Sequence, residues 1–247
     1  MKSAIGYLFV FLLLIGCSNK DKLTFDVLQI NEQVCAGCPK VNISIPYATE
    51  DSKIARSVNA ALNEELISSL NFDDELEIKD IKDAITSFNN GYAEMNALYS
   101  DESAVWEADF KGEVVFEDAS ILTIVFNSHV FTGGAHGNIS KRFLNFDKAK
   151  GSELENWELF KSTEKFEEFA EAKFREQESI PANKSINHTG LMFEQDRFYL
   201  PENIGFTKEG LKLLYNPYEV ASFADGTIEL VLPHTEVEKF LSKKPKS

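Results

Sequence analysis

A chain of 247 residues, 43% apolar and 26% charged, has enough material for one large core or two small ones. Its formal net charge of −15 argues against a nucleic-acid partner, which needs clustered Lys and Arg to displace phosphate counterions. The same charge repels anionic lipid and favours a basic partner, and the 20 phenylalanines point to aromatic-rich cores.

The chain opens with Lys2 and an apolar run over residues 4–15, too short to span a bilayer well and of the kind found in signal peptides. The run ends in Leu14-Ile15-Gly16-Cys17, which resembles the bacterial lipobox. That resemblance implies cleavage after residue 16 and a lipidated Cys17. The expected location is then the cell envelope, on the extracytoplasmic side of a membrane, with the outer membrane favoured. Two or three acyl chains anchor stably where one does not. Residues 18–33 read as a polar tether, within a segment 17–38 assigned to the anchor. Cys35-Ala36-Gly37-Cys38 is a C-x-x-C, and outside the cytoplasm it is expected to oxidise to a local disulfide. Pro39 and a strand follow it, not the helix that lowers a thioredoxin-type thiol pKa, and no later cysteine completes a zinc knuckle. Free thiols, a redox pair and a metal are the alternatives.

Residues 41–45 alternate apolar and polar, which predicts a strand stopped by Pro46. Ile54, Val58, Leu62, Leu66 and Leu70 recur every four residues and predict a helix, with Ser52 or Asp51 as its cap. Ile81, Ile85, Phe88, Tyr92, Met95 and Tyr99 predict a second helix with a core-facing stripe. The period then changes to two: Trp106, Ala108, Phe110, Gly112, Val114 and Phe116 predict a half-buried strand. Further strands are expected over residues 121–131 and 139–146, joined by a glycine-rich loop. A helix carrying Phe166, Ala170 and Phe174 follows, then strands over 211–215 and 227–232. This order predicts an α+β fold, antiparallel sheets packed on a few amphipathic helices. Two parts are expected, residues 39–137 and 138–241.

The loop Phe131-Thr132-Gly133-Gly134-Ala135-His136-Gly137 lacks the Lys-Ser/Thr that a phosphate-binding loop needs, since Asn138-Ile139 follows. A strand comes after it, not the helix of a dinucleotide fingerprint. Gly133, Gly134 and Gly137 therefore read as bend formers, with at least one positive φ, and His136 as a side chain held at the tip. The four histidines His129, His136, His188 and His234 show no zinc-ligand spacing. Ser162-Thr163-Glu164-Lys165 fits S-x-x-K, but its acylase companion motifs are missing, and it reads as a helix start. Among 40 acidic residues, close carboxylate pairs arise by chance, and only their separation in space is diagnostic. Tyr215-Asn216-Pro217-Tyr218 reads as a turn ending a strand.

The glycine loop, Asn145-Phe146-Asp147, the segment LKLLYNPYEV over 211–220, Ala224-Asp225-Gly226 and Val231-Leu232-Pro233 together resemble a known domain. It is the extracytoplasmic domain of RsiV-type anti-sigma factors, which also accompanies PdaC-type peptidoglycan deacetylases. Tyrosine is more frequent in that family where Phe131 stands. The resemblance implies a two-part α+β domain that binds lysozyme in the RsiV type. The PdaC-type catalytic domain has no counterpart here, and no cytoplasmic sigma-binding segment or transmembrane helix is evident. The expectation is a lipid-anchored, non-catalytic domain for an envelope glycan or a basic protein. Gly133, Gly134, His136, Gly137 and Tyr218 form its expected ligand-binding loop, with no cofactor, no metal and no catalytic residue. A cell-wall hydrolase with carboxylate catalysis, or a structural lipoprotein, is the alternative. A buried carboxylate pair in a deep cleft would favour the hydrolase, and a shallow aromatic surface would favour binding.

Overall fold

The structure is a computed structural model that describes residues 22–72, 77–99 and 104–246. Cys17 and the expected signal peptide lie outside the described residues. The first layer is a sheet in the order β1 (Phe25–Glu32), β2 (Lys40–Ala48), β3 (Glu107–Glu117), β4 (Ile121–Phe131), β5 (Asn138–Asp147) and β6 (Ser152–Glu153). Helices α1 (Lys53–Leu70) and α2 (Ile81–Leu98) connect β2 to β3 and cover one face. A helical crossover of this kind returns the chain in the same direction, so β2 and β3 run parallel. The sheet is thus mixed, a correction to the antiparallel expectation.

The stripe of α1 buries Val58, Leu62, Leu66 and Leu70 against Val41, Ile43, Ile45 and Phe110 of the sheet. Ser52 caps the helix by accepting from the Ala55 N–H at 3.2 Å, and Asp80 caps α2 by accepting from the Asp83 N–H at 2.9 Å. The α2 stripe is core only in its first half. Ile85 and Phe88 are buried, while Met95 and Tyr99 are exposed.

Two more expectations are corrected along β1 and β2. Residues 25–32, read as tether, form an edge strand paired with β2 from Phe25–Ala48 to Glu32–Val41. Leu28 and Ile30 pack on the core, and the polar residues between them masked the pattern. Pro46 does not stop β2. Its pairing with β3 ends at Ser44, so Pro46 lies where β2 has a single neighbour strand and a missing N–H is tolerated.

The second layer is the antiparallel sheet β7 (Asn203–Phe206), β8 (Leu211–Tyr215) and β9 (Ile228–Leu232). Helix α4 (Thr163–Gln177) lays Phe166, Ala170 and Phe174 on it, flanked by the short helices α3 (Asn156–Leu159) and α5 (His234–Val237). Ser162 accepts from the Lys165 N–H at 3.4 Å, so the S-x-x-K sequence is a helix cap. The two layers meet where β7 crosses β5. A Cβ on Gly205 would lie 2.3 Å from the Phe143 ring, so only glycine permits this approach. The expected boundary at 137/138 falls inside the β4–β5 hairpin. Strand β5 pairs with β4 over ten residues and completes the first sheet, which extends to β6.

Candidate functional site

The glycine loop joins β4 to β5, and its glycines have two different reasons. Gly133 and Gly134 have φ of +100° and +89°, which side chains with a Cβ resist. Gly137 has no such φ. A Cβ there would lie 2.5 Å from His129 Nε2, so the imidazole of His129 requires a bare backbone. The bend turns His136 outward.

Asn216 brings the second segment to the loop. Strand β5 has a free edge beyond its short pairing with β6, and the Asn216 side chain occupies it. Its amide oxygen accepts from the Lys141 N–H at 2.8 Å, and its amide nitrogen donates to the Lys141 carbonyl at 3.0 Å. One side chain thereby imitates a neighbouring strand and stitches the Asn-Pro-Tyr turn to β5. Tyr218 follows with φ +72°, an uncommon conformation for a bulky residue, and is 62% exposed. Its hydroxyl lies 3.0 Å from His136 Nε2. His136 Nδ1 lies 3.3 Å from the Gly137 carbonyl. One neutral tautomer satisfies both contacts, with Nδ1–H donating and Nε2 accepting from the tyrosine. Phe223 stacks under His136 at 4.0 Å between ring centroids and 12° between planes. Val130, Thr132, Ile139 and Pro217 complete a shallow pocket of about 350 Å³.

The structure therefore brings His136 and Tyr218 together across 82 positions of sequence. Phe223 was missed, and its signal was its place next to Ala224-Asp225-Gly226. Cys35 and Cys38 are joined as a disulfide, with Gly37 at φ +87° and the Tyr92 hydroxyl donating to its carbonyl at 3.1 Å. Lys40 pairs with Glu107, which pairs with Phe131, so the disulfide turn and the glycine loop share one end of the sheet. The other histidines stay apart: His129 lies 4.0 Å from Asp109, and His234 Nε2 lies 2.8 Å from the Thr207 carbonyl. Among the described residues no group of three or more His, Cys, Asp or Glu could hold a metal ion.

A second concavity, about 450 Å³, opens between the layers. Glu65 of α1, Arg142 of β5 and Glu153 of β6 meet there, and Arg142 Nε lies 3.0 Å from Glu65 Oε1. Burial pushes the Glu153 carboxyl up to about 7, with repulsion from Glu155, Glu65 and Glu64 adding to it and Arg142 opposing. Burial raises Glu65 as well, outweighing the attraction of Arg142. Nothing in the sequence distinguished these two glutamates from the other acidic residues.

Residues 35–139 match the family described as Deacetylase PdaC, and residues 158–235 match a family described as a protein of unknown function, DUF3298. Each match takes in a part of the chain that is less than half of it. The PdaC match ends at residue 139, near the boundary expected from sequence, although the sheet of that region runs on to β6. The DUF3298 match covers α4 and the second sheet. A DUF3298-family protein of Bacteroides fragilis shares the fold with a TM-score of 0.72 at 20% identity, over 90% of this chain and 95% of that one. A DUF3298-family protein of Pseudomonas aeruginosa gives 0.65 at 16% identity, over 93% of this chain and 100% of that one. No curated protein matches the chain.

Proposed function

We propose that this protein is a lipid-anchored, non-catalytic binding domain of the bacterial cell envelope that takes a basic protein on its His136–Tyr218–Phe223 surface. The observation that carries the reading is Tyr218, held exposed at positive φ by a turn that Asn216 locks to β5. Strain of this kind persists only where surrounding contacts enforce it, and here they present an aromatic side chain to solvent. Tyrosine supplies large contact area at small entropic cost. The pocket is shallow and aromatic, a shape suited to a protein surface more than to a buried small molecule. A net charge of −15 favours a basic ligand. Cys17 is the proposed anchor, on the lipobox resemblance, and the PdaC likeness agrees with an extracytoplasmic setting.

The hydrolase reading draws on Glu65 and Glu153. Carboxylate catalysis needs both groups free to face the sugar, and Glu65 is engaged by Arg142. This favours binding over hydrolysis. The test is capture of a basic envelope-active protein such as lysozyme by the purified protein. Tyr218→Ala is expected to weaken capture at least tenfold, with His136→Ala weaker but still folded, and raised salt should loosen the complex. Release of reducing sugar from cell-wall material, lost in Glu153→Gln, would overturn the binding reading.

A further inference from the structure

The cleft between the layers has features that protein capture at Tyr218 does not use. Trp157 of α3 stands at its rim and is 71% exposed, whereas Trp106, the other tryptophan of the chain, is 5% exposed inside the first core. A large ring left in water beside a concavity is a face without a partner. Asn203 lines the same cleft. It is 8% exposed, and its side-chain amide has no hydrogen-bond partner among the described residues. On β7, Ile204 points into the second core, so Asn203 faces the other way, toward β5. Its amide atoms are not among the buried unsatisfied ones, so they keep access to the water of the cleft that the residue lines, and a ligand there can reach them.

The charges narrow the ligand. Glu65 is paired with Arg142, and Lys141 with Glu229. Glu153, Glu155 and Glu202 line the cleft with no ion-pair partner among the described residues, so the lining is net acidic. Anions are disfavoured. A bound metal ion is disfavoured too, because these carboxylates form no cluster that could hold one. What fits an exposed indole beside unpaired amide and carboxylate groups is a molecule with an apolar face and a polar edge. A pyranose has that form, with C–H bonds on its face and hydroxyls around its rim. The volume of about 450 Å³ falls within the roughly 300–1,000 Å³ range of small-molecule pockets.

We propose that this cleft is a saccharide-binding site for a neutral or cationic pyranose, which stacks on Trp157 and hydrogen-bonds to Asn203 and Glu153. The site shares Asn216 with the turn that carries Tyr218 but includes none of His136, Tyr218 or Phe223, so each can fail without the other. Calorimetric titration of the purified protein with an N-acetylglucosamine oligomer, a glucosamine oligomer and a galacturonate oligomer tests it. Saturable binding is expected with the first or second, accompanied by a shift of Trp157 emission and its protection from a soluble quencher. Trp157→Ala should weaken binding about tenfold or more with an unchanged melting temperature, because the ring is exposed. Trp157→Phe keeps a ring and should retain most of it, Asn203→Ala should weaken it, and Tyr218→Ala should leave it alone. No binding of either neutral or cationic oligomer, binding indifferent to Trp157→Ala, or equal binding of galacturonate would each overturn the proposal.

Discussion

Single residues at the glycine loop and the cleft make opposite demands on the backbone and on charge. Gly133 sits at positive φ in open space, so Gly133→Ala pays for conformation only, about 1 kcal/mol. Gly137→Ala meets His129 at 2.5 Å, and the half-exposed imidazole must swing away, at about 1 kcal/mol or less. The double substitution Gly137→Ala with His129→Ala should recover most of that loss in denaturant melts. If it does not, the clash with His129 is not what keeps Gly137. Glu153 makes the charge demand. Its folded pKa is raised from 4.5 to about 7 by burial and by neighbouring glutamates. The folded state therefore holds the proton more tightly than the unfolded state. The associated stability is fully present below about pH 4.5 and is lost as pH rises through about 7. Glu153→Gln, neutral throughout, should match the wild type near pH 4 and exceed it by about 1 kcal/mol near pH 8, after allowance for partial exposure. Urea midpoints at the two pH values decide it. An equal gap at both would remove the titration argument.

Asn216 shows how an element depends on one side chain. It closes the open edge of β5 at Lys141 with two hydrogen bonds and positions the turn that carries Tyr218. Asn216→Ala should cost about 2 kcal/mol and loosen the Tyr218–His136 contact, and Asn216→Asp, which cannot donate, should recover only part. Amide exchange at Lys141 reads the loss directly. An unchanged exchange rate there would show that the edge is held by something else. The sequence disclosed the turn at Asn216-Pro217 but not its role, because a side chain imitating a strand leaves no periodic trace. Periodicity did disclose α1, β3 and the apolar face of α4, and the apolar runs at 121–131 and 211–215 are β4 and β8 at the bounds expected. It failed where burial is irregular. Strand β1 alternates weakly at an edge, β7 is four residues held by packing under β5, and α2 is buried only as far as Gly91. His136 and Tyr218 could be nominated singly, but their meeting depends on β5 and β8 converging through Asn216. Apart from Glu155, two residues on, the charges that act on Glu153 come from α1 and β5 and had no sequence signal.

At the scale of the molecule, the corrected N-terminus changes the expected geometry of anchoring. The first strand begins at Phe25, not after a tether reaching residue 33. Seven residues lie between it and Cys17, and the eight residue steps span at most about 28 Å when fully extended. On the proposed anchoring, β1 and the sheet it edges are held close to the membrane. The acidic surface then works in the protein's favour, because repulsion from anionic headgroups turns the domain outward while leaving it free to meet basic ligands. The proposed anchor would act through buried methylenes at about 0.8 kcal/mol each, so two or three acyl chains would exceed anything the polypeptide surface could supply. On that proposal Cys17→Ser removes all of that energy at once. The variant should move from the detergent phase to the aqueous phase on phase separation and be released from the envelope fraction. Its melting temperature and its affinity for a ligand in solution should equal those of the lipidated form, because β1 pairs with β2 without the anchor. Retention of Cys17→Ser in the detergent phase would rule out Cys17 as the attachment point. A fall in melting temperature would show that the segment before Phe25 contributes to the fold and is not only a link to the membrane.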